Sequence, residues 1–94
     1  MKTMLQTISI KVYGEVQGVY YRQCTKEMAL QLGIGGHAMN LPDGTVEIIA
    51  TGTKEQLEKL ISWCWQGTKR AKVANLVTKE LPLQAFDQFI IKSF

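Results

Sequence analysis

The sequence Gly14-Glu15-Val16-Gln17-Gly18-Val19-Tyr20-Tyr21-Arg22 joins two segments with different periodicities. Residues 7–13, before it, alternate between polar and apolar side chains, which predicts a half-buried strand. Residues 21–32, after it, place their apolar side chains at helical spacing, which predicts an amphipathic helix. The stretch is therefore expected to be a glycine-containing connection from the end of a strand to the start of a helix. The inner face of the predicted strand carries Ile8, Ile10 and Val12.

A hairpin is predicted next along the chain. Its two strands, residues 36–41 and 45–51, flank the sequence Leu41-Pro42-Asp43-Gly44. Proline fixes one φ angle in such a turn and glycine allows a positive one. The inward-facing residues of the second strand are expected to be Val46, Ile48 and Ala50.

The second half of the chain predicts one more helix and two strands. Thr53 is a credible N-cap, Gln56 completes a capping box, and Gly67 ends the helix. Residues 72–80 follow as a strand whose apolar side chains do not alternate cleanly, which leaves room for a bulge or an edge position. Residues 86–92 form a short terminal strand.

This order of elements, β-α-β-β-α-β plus a short terminal strand, predicts an α+β protein with the ferredoxin-like sandwich fold. In that fold the sheet is antiparallel. Two strands that run parallel to each other lie on either side of a third that runs the opposite way, and both helices cover one face of the sheet. The end of the first strand, the start of the first helix and the end of the second strand meet at one edge. Arg22 and Asn40, which are distant in sequence, are thereby expected at the same rim.

Length and composition are those of one globular domain, residues 1–94. Hydrophobic residues make up 46% of the chain and charged residues 20%, which argues against disorder. The chain has 11 Lys and Arg residues against 8 Asp and Glu, and this excess of +3 suits an anionic ligand. The excess is too small to indicate nucleic-acid binding, since only Lys69, Arg70 and Lys72 cluster.

Targeting and cysteine patterns indicate a cytoplasmic protein without a metal site. Residues 1–7 contain no apolar region after Lys2, so no signal peptide is expected. No stretch approaches the roughly 20 apolar residues of a membrane span. Cys24 and Cys64 form no Cys-x-x-Cys pair, so the sequence supports no zinc or redox motif.

The glycine-containing connection has the features of an anion site. Backbone N–H groups at the start of a helix are unpaired, the helix dipole adds partial positive charge, and glycines let several N–H groups converge on one oxyanion. Arg22 adds a permanently charged fork that suits phosphate. The stretch matches neither the nucleotide P-loop nor the dinucleotide Gly-x-Gly-x-x-Gly motif. On these residues alone, a tight turn beside a surface arginine is an equally good interpretation.

Asn40 lies just before the predicted hairpin turn. Asparagine is common beside turns because its side chain binds nearby backbone, and that structural interpretation is the simpler one from sequence alone. The functional alternative is an amide that orients a water molecule toward the anion site. The predicted topology favours this functional alternative, because it brings Asn40 beside Arg22.

The other reactive side chains favour structural roles. His37 is the only histidine and has no second ligand or nucleophile in a recognisable motif. Cys24 and Cys64 are expected to pack within the helices; the fold leaves a disulfide between them open, although a cytosolic setting argues against it. Of Trp63 and Trp65, which point to different helix faces, one is expected to pack and the other to cover surface.

The loop and much of the chain after it resemble the acylphosphatase family. The stretch Gly14-x-Val16-Gln17-Gly18-Val19-x-Tyr21-Arg22 is similar to the family's phosphate-binding signature. The similarity runs from Thr7 to Phe89 and includes Leu32-Gly33-Ile34, Gly36, Asn40, Pro42-Asp43-Gly44-x-Val46-Glu47 and Gly52. 

Four positions depart from the family pattern. The family usually has phenylalanine at Tyr21, an aromatic residue at His37 and a basic residue at Met39. In the turn near Gly67, Thr68-Lys69 stands in place of the usual proline. None of these departures affects Arg22 or Asn40.

The resemblance implies hydrolysis of acyl phosphates to carboxylate and phosphate by a monomer that uses no metal, no other cofactor and no covalent intermediate. It also implies that Asn40 orients the attacking water and that Arg22 and the loop amides hold the phosphoryl group. Inorganic phosphate or sulfate would fit the same loop. The residues implied in phosphate binding are Val16, Gln17, Gly18, Val19, Tyr20, Tyr21 and Arg22.

Two other functions are compatible with the predicted fold. An RNA-recognition domain would need aromatic residues on exposed strand faces within a basic-aromatic signature, which this sequence lacks. An accessory domain that binds an anion without turnover would have the same loop, and the sequence alone leaves that alternative open.

Overall fold

The computed structural model describes residues 4–93; Phe94 and Met1–Thr3, the start of the segment for which no signal peptide is predicted, lie outside the described residues. Within residues 4–93 the elements are β1 (Leu5–Glu15), α1 (Tyr21–Leu32), β2 (Gly35–Asn40), β3 (Val46–Thr53), α2 (Lys54–Gln66), β4 (Lys72–Leu81) and β5 (Phe89–Lys92). Neither helix in this range is long and apolar enough to cross a membrane. The order is the predicted β-α-β-β-α-β with a short terminal strand.

The strands form one sheet in the order β4-β1-β3-β2-β5. β1 and β2 each pair antiparallel with β3 and are therefore parallel to each other, as predicted. β5 pairs parallel with β2, so it adds one parallel edge pair to an otherwise antiparallel sheet. α1 packs on β2 and β5, α2 packs on β1, β3 and β4, and the two helices contact each other on one face. The predicted ferredoxin-like sandwich is confirmed.

The hydrophobic core lies between the sheet and the helices. All six residues predicted to face inward from the two central strands are buried, namely Ile8, Ile10, Val12, Val46, Ile48 and Ala50. The buried helix residues recur at helical spacing, as the amphipathic pattern requires, and they are Tyr21, Thr25, Ala29, Leu57, Leu60 and Cys64. Full burial of each large aliphatic side chain contributes about 1.5–3 kcal/mol. This layer fixes the positions of the element ends that form the site.

β4 lies at an edge of the sheet and also carries a register shift, so both interpretations left open for this strand hold. The shift occurs where Gly14 pairs with Val73, and it leaves Ala74 as the extra residue of a bulge. Gly14 has a φ angle of +125°, and a Cβ atom there would lie 2.1 Å from the Lys72 carbonyl oxygen. Glycine is therefore required at the point where β1 bends toward the loop.

The lengths of β1 and β5 differ from the prediction. β1 is longer than the predicted 7–13 because its pairing with β3 and β4 continues at both ends. β5 begins at Phe89 rather than at residue 86, because the preceding segment crosses the end of the sheet. There the Gln84 N–H donates to the Thr7 hydroxyl at 2.9 Å. Local periodicity contains no signal for such a tertiary bond.

Local chemistry in the hairpin and α2 follows the prediction. Thr53 Oγ1 accepts the Gln56 N–H at 3.2 Å, and the Gln56 side chain accepts the Thr53 N–H at 2.8 Å, which completes the capping box. In the hairpin turn, Asp43 Oδ1 accepts the Thr45 N–H at 3.0 Å, and Asp43 Oδ2 lies 3.0 Å from Lys11 Nζ. The turn is thus fixed to β1, and it holds the end of β2 in place.

Candidate active site

A cleft of about 410 Å³ lies where β1 leads into the loop, α1 begins and β2 and β5 end. Its walls come from the loop, the first turn of α1 and the ends of the two strands. The lining residues are Val16, Gly18, Tyr20, Tyr21, Arg22, Gln23, Asn40 and Ile91. The fold therefore brings Arg22 and Asn40 to one cleft.

The loop before α1 borders the cleft with an irregular backbone. Tyr20, the N-cap of α1, lies in the left-handed region at φ 63° and ψ 20°, and its side chain makes no capping hydrogen bond. Gly18 also has a positive φ, 75°. Within residues 4–93, no backbone carbonyl accepts an N–H of residues 16–20, and the first turn of α1 contains no acidic residue. Successive N–H groups in such turns form an anion-binding concavity, to which the helix dipole adds positive potential.

Two side chains hold this loop from opposite sides. Gln17 Nε2 donates to the carbonyl oxygens of Leu41 and Thr45, both at 2.9 Å, and so joins the loop to the hairpin turn. Thr68 Oγ1 donates to the Val19 carbonyl oxygen at 2.8 Å and joins the loop to the segment after α2. These bonds help to hold the loop in its observed shape. The left-handed conformation of Tyr20 opposes that shape, because it costs about 1–2 kcal/mol for a residue other than glycine.

Two of the predicted phosphate-binding residues, Gln17 and Val19, do not line the cleft. The Gln17 side chain binds the hairpin turn, and the Val19 side chain packs against the core. Any contribution of these two residues to an anion site comes from their backbone N–H groups. The side-chain roles of Gln17 and Thr68 escape sequence reasoning, because each bond joins residues that are far apart in the chain.

Arg22 lies in the first turn of α1 and is partly buried. Its Nη1 donates to the Lys92 carbonyl oxygen at 3.3 Å, which ties the guanidinium group to the end of β5. Ile91 of the same strand lines the cleft. The sequence does not reveal this contribution of β5, because the parallel pairing with β2 joins distant segments. Arg22 is thus a permanently charged donor held at the cleft wall.

Asn40 is the last residue of β2, and its backbone pairs with Val46. Its Oδ1 is a buried acceptor without a hydrogen-bond partner among residues 4–93. The turn-binding role considered for Asn40 is filled by Asp43, which accepts the Thr45 N–H. An unpaired buried acceptor costs about 1–3 kcal/mol. Asn40 is thus a candidate for a role at the cleft rather than in the hairpin turn.

The lining residues, all within the described part of the chain, include no Asp, Glu or His. Tyr21 donates its hydroxyl hydrogen to the Cys64 carbonyl oxygen at 2.7 Å, and burial raises the pKa of this phenol, so it stays neutral. Burial also raises the pKa of the Cys64 thiol to about 12, which disfavours the nucleophilic thiolate. Among the described residues, the cleft therefore offers a guanidinium group and an amide rather than a carboxylate or an imidazole.

Two ionisable side chains of the hairpin have shifted pKa values. Hydrogen bonds from Thr45, and then the one from Lys11, lower the pKa of Asp43 to about 2. Burial lowers the pKa of His37, which lies in β2 outside the cleft. Both cysteines are free thiols. Within residues 4–93, no three His, Cys, Asp or Glu side chains form a group that could hold a metal ion.

Comparisons of the sequence and of the structure with known proteins agree on one family. The acylphosphatase family model matches residues 8–91. A relative from Marinobacter nauticus named acylphosphatase is 49% identical over 79 residues, which are 83% of this chain and 86% of the relative. One from Thermoplasma volcanium, with the same name, is 43% identical over 89 residues, 95% of this chain and 99% of the relative. The solved acylphosphatase structure from Bacillus subtilis matches with a TM-score of 0.90 at 31% identity, and the match covers 95% of this chain and 99% of that one.

The matched regions include the loop, both helices and the sheet. The family that the loop signature implies is thereby confirmed, and an accessory domain without turnover is not favoured. The chain belongs to the acylphosphatase family and is an enzyme that hydrolyses acyl phosphates.

Proposed function

We propose that the cleft binds the phosphoryl group of a small acyl phosphate and that Asn40 orients a water molecule for attack on phosphorus. The observation that carries this proposal is that Asn40, whose amide oxygen has no hydrogen-bond partner among residues 4–93, lines the same cleft as Arg22 and the start of α1. Donors of positive character and the side-chain amide of Asn40 thus line a common cleft. A phosphoryl group needs the donors, and an attacking water needs the acceptor.

The phosphoryl oxygens are held by the N–H groups of residues 16–21 and by the guanidinium group of Arg22. Backbone donors fixed by a loop need no reorganisation as charge shifts during the reaction, so they stabilise the transition state efficiently. The bond from Arg22 to the Lys92 carbonyl leaves further guanidinium N–H groups to form charge-assisted bonds with the anion. The substrate's negative charge is thereby offset without a second cationic side chain.

Departure of the acyl group requires little help from an acid. A carboxylate has a conjugate-acid pKa of about 4, so it leaves as a stable anion at neutral pH. The missing acid–base pair in the cleft therefore fits this reaction, whereas it would not fit the hydrolysis of an ordinary phosphate ester. The task of the protein is to place water, phosphorus and leaving group in line.

Asn40 acts as an acceptor for one hydrogen of the attacking water. Asn40 is the last residue of β2. The position of that strand end is fixed by the hydrogen bond between Asp43 and Thr45 in the hairpin turn and by the bond from Gln17 to the Leu41 carbonyl. A water bonded to this oxygen keeps a lone pair free to point at the bound phosphorus. We propose that this positioning, without a metal ion or a covalent intermediate, is sufficient for hydrolysis, and that inorganic phosphate or sulfate binds in the same loop.

We further propose that residues 1–94 form one domain that acts as a cytoplasmic monomer. A single hydrophobic core includes residues from both helices and the sheet, which supports a single domain. Two free thiols fit a reducing compartment. Light scattering after gel filtration is expected to give the mass of one chain, and the mass of two would contradict the monomer.

Hydrolysis of benzoyl phosphate in water labelled with heavy oxygen tests the proposed mechanism. Attack on phosphorus places the label in inorganic phosphate, and the reaction is expected to continue in EDTA at its full rate. Label in the benzoate product would show attack at the carbonyl carbon instead. Activity that EDTA abolishes and Mg²⁺ restores would contradict metal independence.

A further inference from the structure

Thr68 lies outside the cleft, two residues after the end of α2, and its Oγ1 donates to the Val19 carbonyl oxygen at 2.8 Å. We propose that Thr68 is a positioning residue of the anion site: by holding the Val19 carbonyl, it turns the Tyr20 N–H into the cleft. This inference rests on the proposed function, since it concerns the same loop and the same anion. It adds to that site a residue from a different part of the chain.

The link from Thr68 to the Tyr20 N–H follows from the geometry of the peptide bond. In a planar trans peptide, the C=O of one residue and the N–H of the next point in opposite directions. The Val19 carbonyl points at Thr68, so the Tyr20 N–H points away from Thr68. Tyr20 lines the cleft, whereas Val19 and Thr68 do not. The bond to Thr68 therefore sets the direction of one N–H donor in the site.

Tyr20 is the loop residue whose backbone most needs such support. Its left-handed conformation is unfavourable for a residue with a bulky side chain. Its side chain makes no capping bond and is 70% exposed, so it does little to hold its own backbone. Without the bond to Thr68, the peptide between Val19 and Tyr20 would be free to rotate and the donor would turn from the anion.

Thr68 is itself fixed by the turn that contains it. The Gly67 N–H donates to the Trp63 carbonyl at 2.7 Å, and the Ala71 N–H donates to the Thr68 carbonyl at 3.1 Å. A Cβ atom on Gly67 would lie 3.1 Å from the ring of Tyr21, so the turn also packs against α1. The hydroxyl of Thr68 is thus presented to Val19 from a rigid base.

Two substitutions at Thr68 separate the hydroxyl from the shape of the side chain. Thr68→Val removes the hydroxyl at almost the same volume, and it is expected to raise the inhibition constant of inorganic phosphate about tenfold, the effect of one charge-assisted hydrogen bond. Thr68→Ser keeps the hydroxyl and is expected to bind phosphate nearly as the unaltered chain does. In amide NMR spectra, phosphate should shift the Tyr20 N–H signal in the unaltered chain and in Thr68→Ser but not in Thr68→Val.

Thr53→Val is the matched control for a general loss of stability. It also removes one threonine hydroxyl, the acceptor for the Gln56 N–H, at the other end of α2 and roughly 20 Å from Thr68. This variant should lose stability and keep its affinity for phosphate. Equal weakening of phosphate binding in Thr53→Val and Thr68→Val would overturn the inference.

Arg22→Ala distinguishes a failure of this inference from a failure of the proposed function. If Arg22→Ala retains full affinity for phosphate, the anion site itself is wrongly assigned and the role of Thr68 is wrong with it. If Arg22→Ala binds phosphate weakly while Thr68→Val binds it as the unaltered chain does, only the role of Thr68 is wrong. Loss of affinity in both variants, with rescue by Thr68→Ser, supports the inference.

Discussion

The Tyr21 hydroxyl donates to the Cys64 carbonyl at 2.7 Å and joins the first turn of α1 to the last turn of α2. That carbonyl is among the last four of its helix, which have no intrahelical donor. The family pattern expects phenylalanine at this position, so the bond distinguishes this chain from that pattern. It connects the two helix ends that flank the loop.

Tyr21→Phe keeps the ring and removes the hydroxyl, so the Cys64 carbonyl loses its donor in a buried setting. The free energy of unfolding is expected to fall by about 1–2 kcal/mol. Urea unfolding followed by tryptophan fluorescence measures the change, since Trp63 packs against Tyr21 with ring centroids 5.3 Å apart. An unchanged midpoint and slope would show that the bond contributes nothing to stability.

Asp43 links the stability of the hairpin turn to pH. Hydrogen bonds from Thr45 and Lys11 lower its pKa from 3.8 to about 2. A carboxylate with a lowered pKa stabilises the folded state above its unfolded pKa, and that stabilisation is lost as the pH falls through the folded value. Asp43→Asn should therefore be less stable than the unaltered chain at neutral pH, and the difference should shrink between pH 4 and pH 2. If the difference in the free energy of unfolding between the two proteins stays constant across that range, Asp43 is not the source of the pH dependence.

Local signals predicted most of the individual elements. α1 has its predicted bounds, α2 has its predicted capping box, and the two central strands bury their predicted faces. The unpredicted features all depend on residues that are distant in sequence. These features are the position of the bulge opposite Gly14, the crossing segment bound to Thr7, and the side-chain bonds of Gln17 and Thr68. Periodicity shows which face of an element is buried, but it does not show which distant group accepts a hydrogen bond.

At Gly36, the backbone of β3 leaves no room for a side chain on β2. Its φ angle is +149°, and a Cβ atom there would lie 1.8 Å from the Ile49 carbonyl oxygen. Gly36→Ala is expected to lower the free energy of unfolding by about 3 kcal/mol or more, from steric overlap and backbone strain together. Thermal and urea unfolding would measure this loss.

Gly44→Ala is the control, because it adds backbone strain without a steric clash between the new Cβ atom and its surroundings. Gly44 has a φ angle of +90°, but nothing lies within 4 Å of a Cβ atom placed there. This variant is expected to lose only about 1–2 kcal/mol. Equal losses in Gly36→Ala and Gly44→Ala would show that the contact with β3 is not what excludes a side chain.

The site is a property of the whole molecule, because its groups come from the loop, α1, β2 and β5. The topology predicted from element order was sufficient to bring Arg22 and Asn40 together. It could not predict the bond from Arg22 to Lys92, or an Asn40 oxygen without a partner among residues 4–93, since both depend on side-chain positions in the folded chain. These two features support separate roles for the two residues, one in binding and one in turnover.

Side-by-side kinetics of Arg22→Ala and Asn40→Ala would separate these roles, with benzoyl phosphate as substrate and inorganic phosphate as competitive inhibitor. Arg22→Ala is expected to weaken phosphate inhibition about 100-fold, because it removes charge-assisted bonds to the anion. Asn40→Ala is expected to keep its affinity for phosphate and to lose about 100-fold in kcat, because the water is no longer positioned. Full kcat in Asn40→Ala, or full phosphate affinity in Arg22→Ala, would contradict the assignment of this cleft.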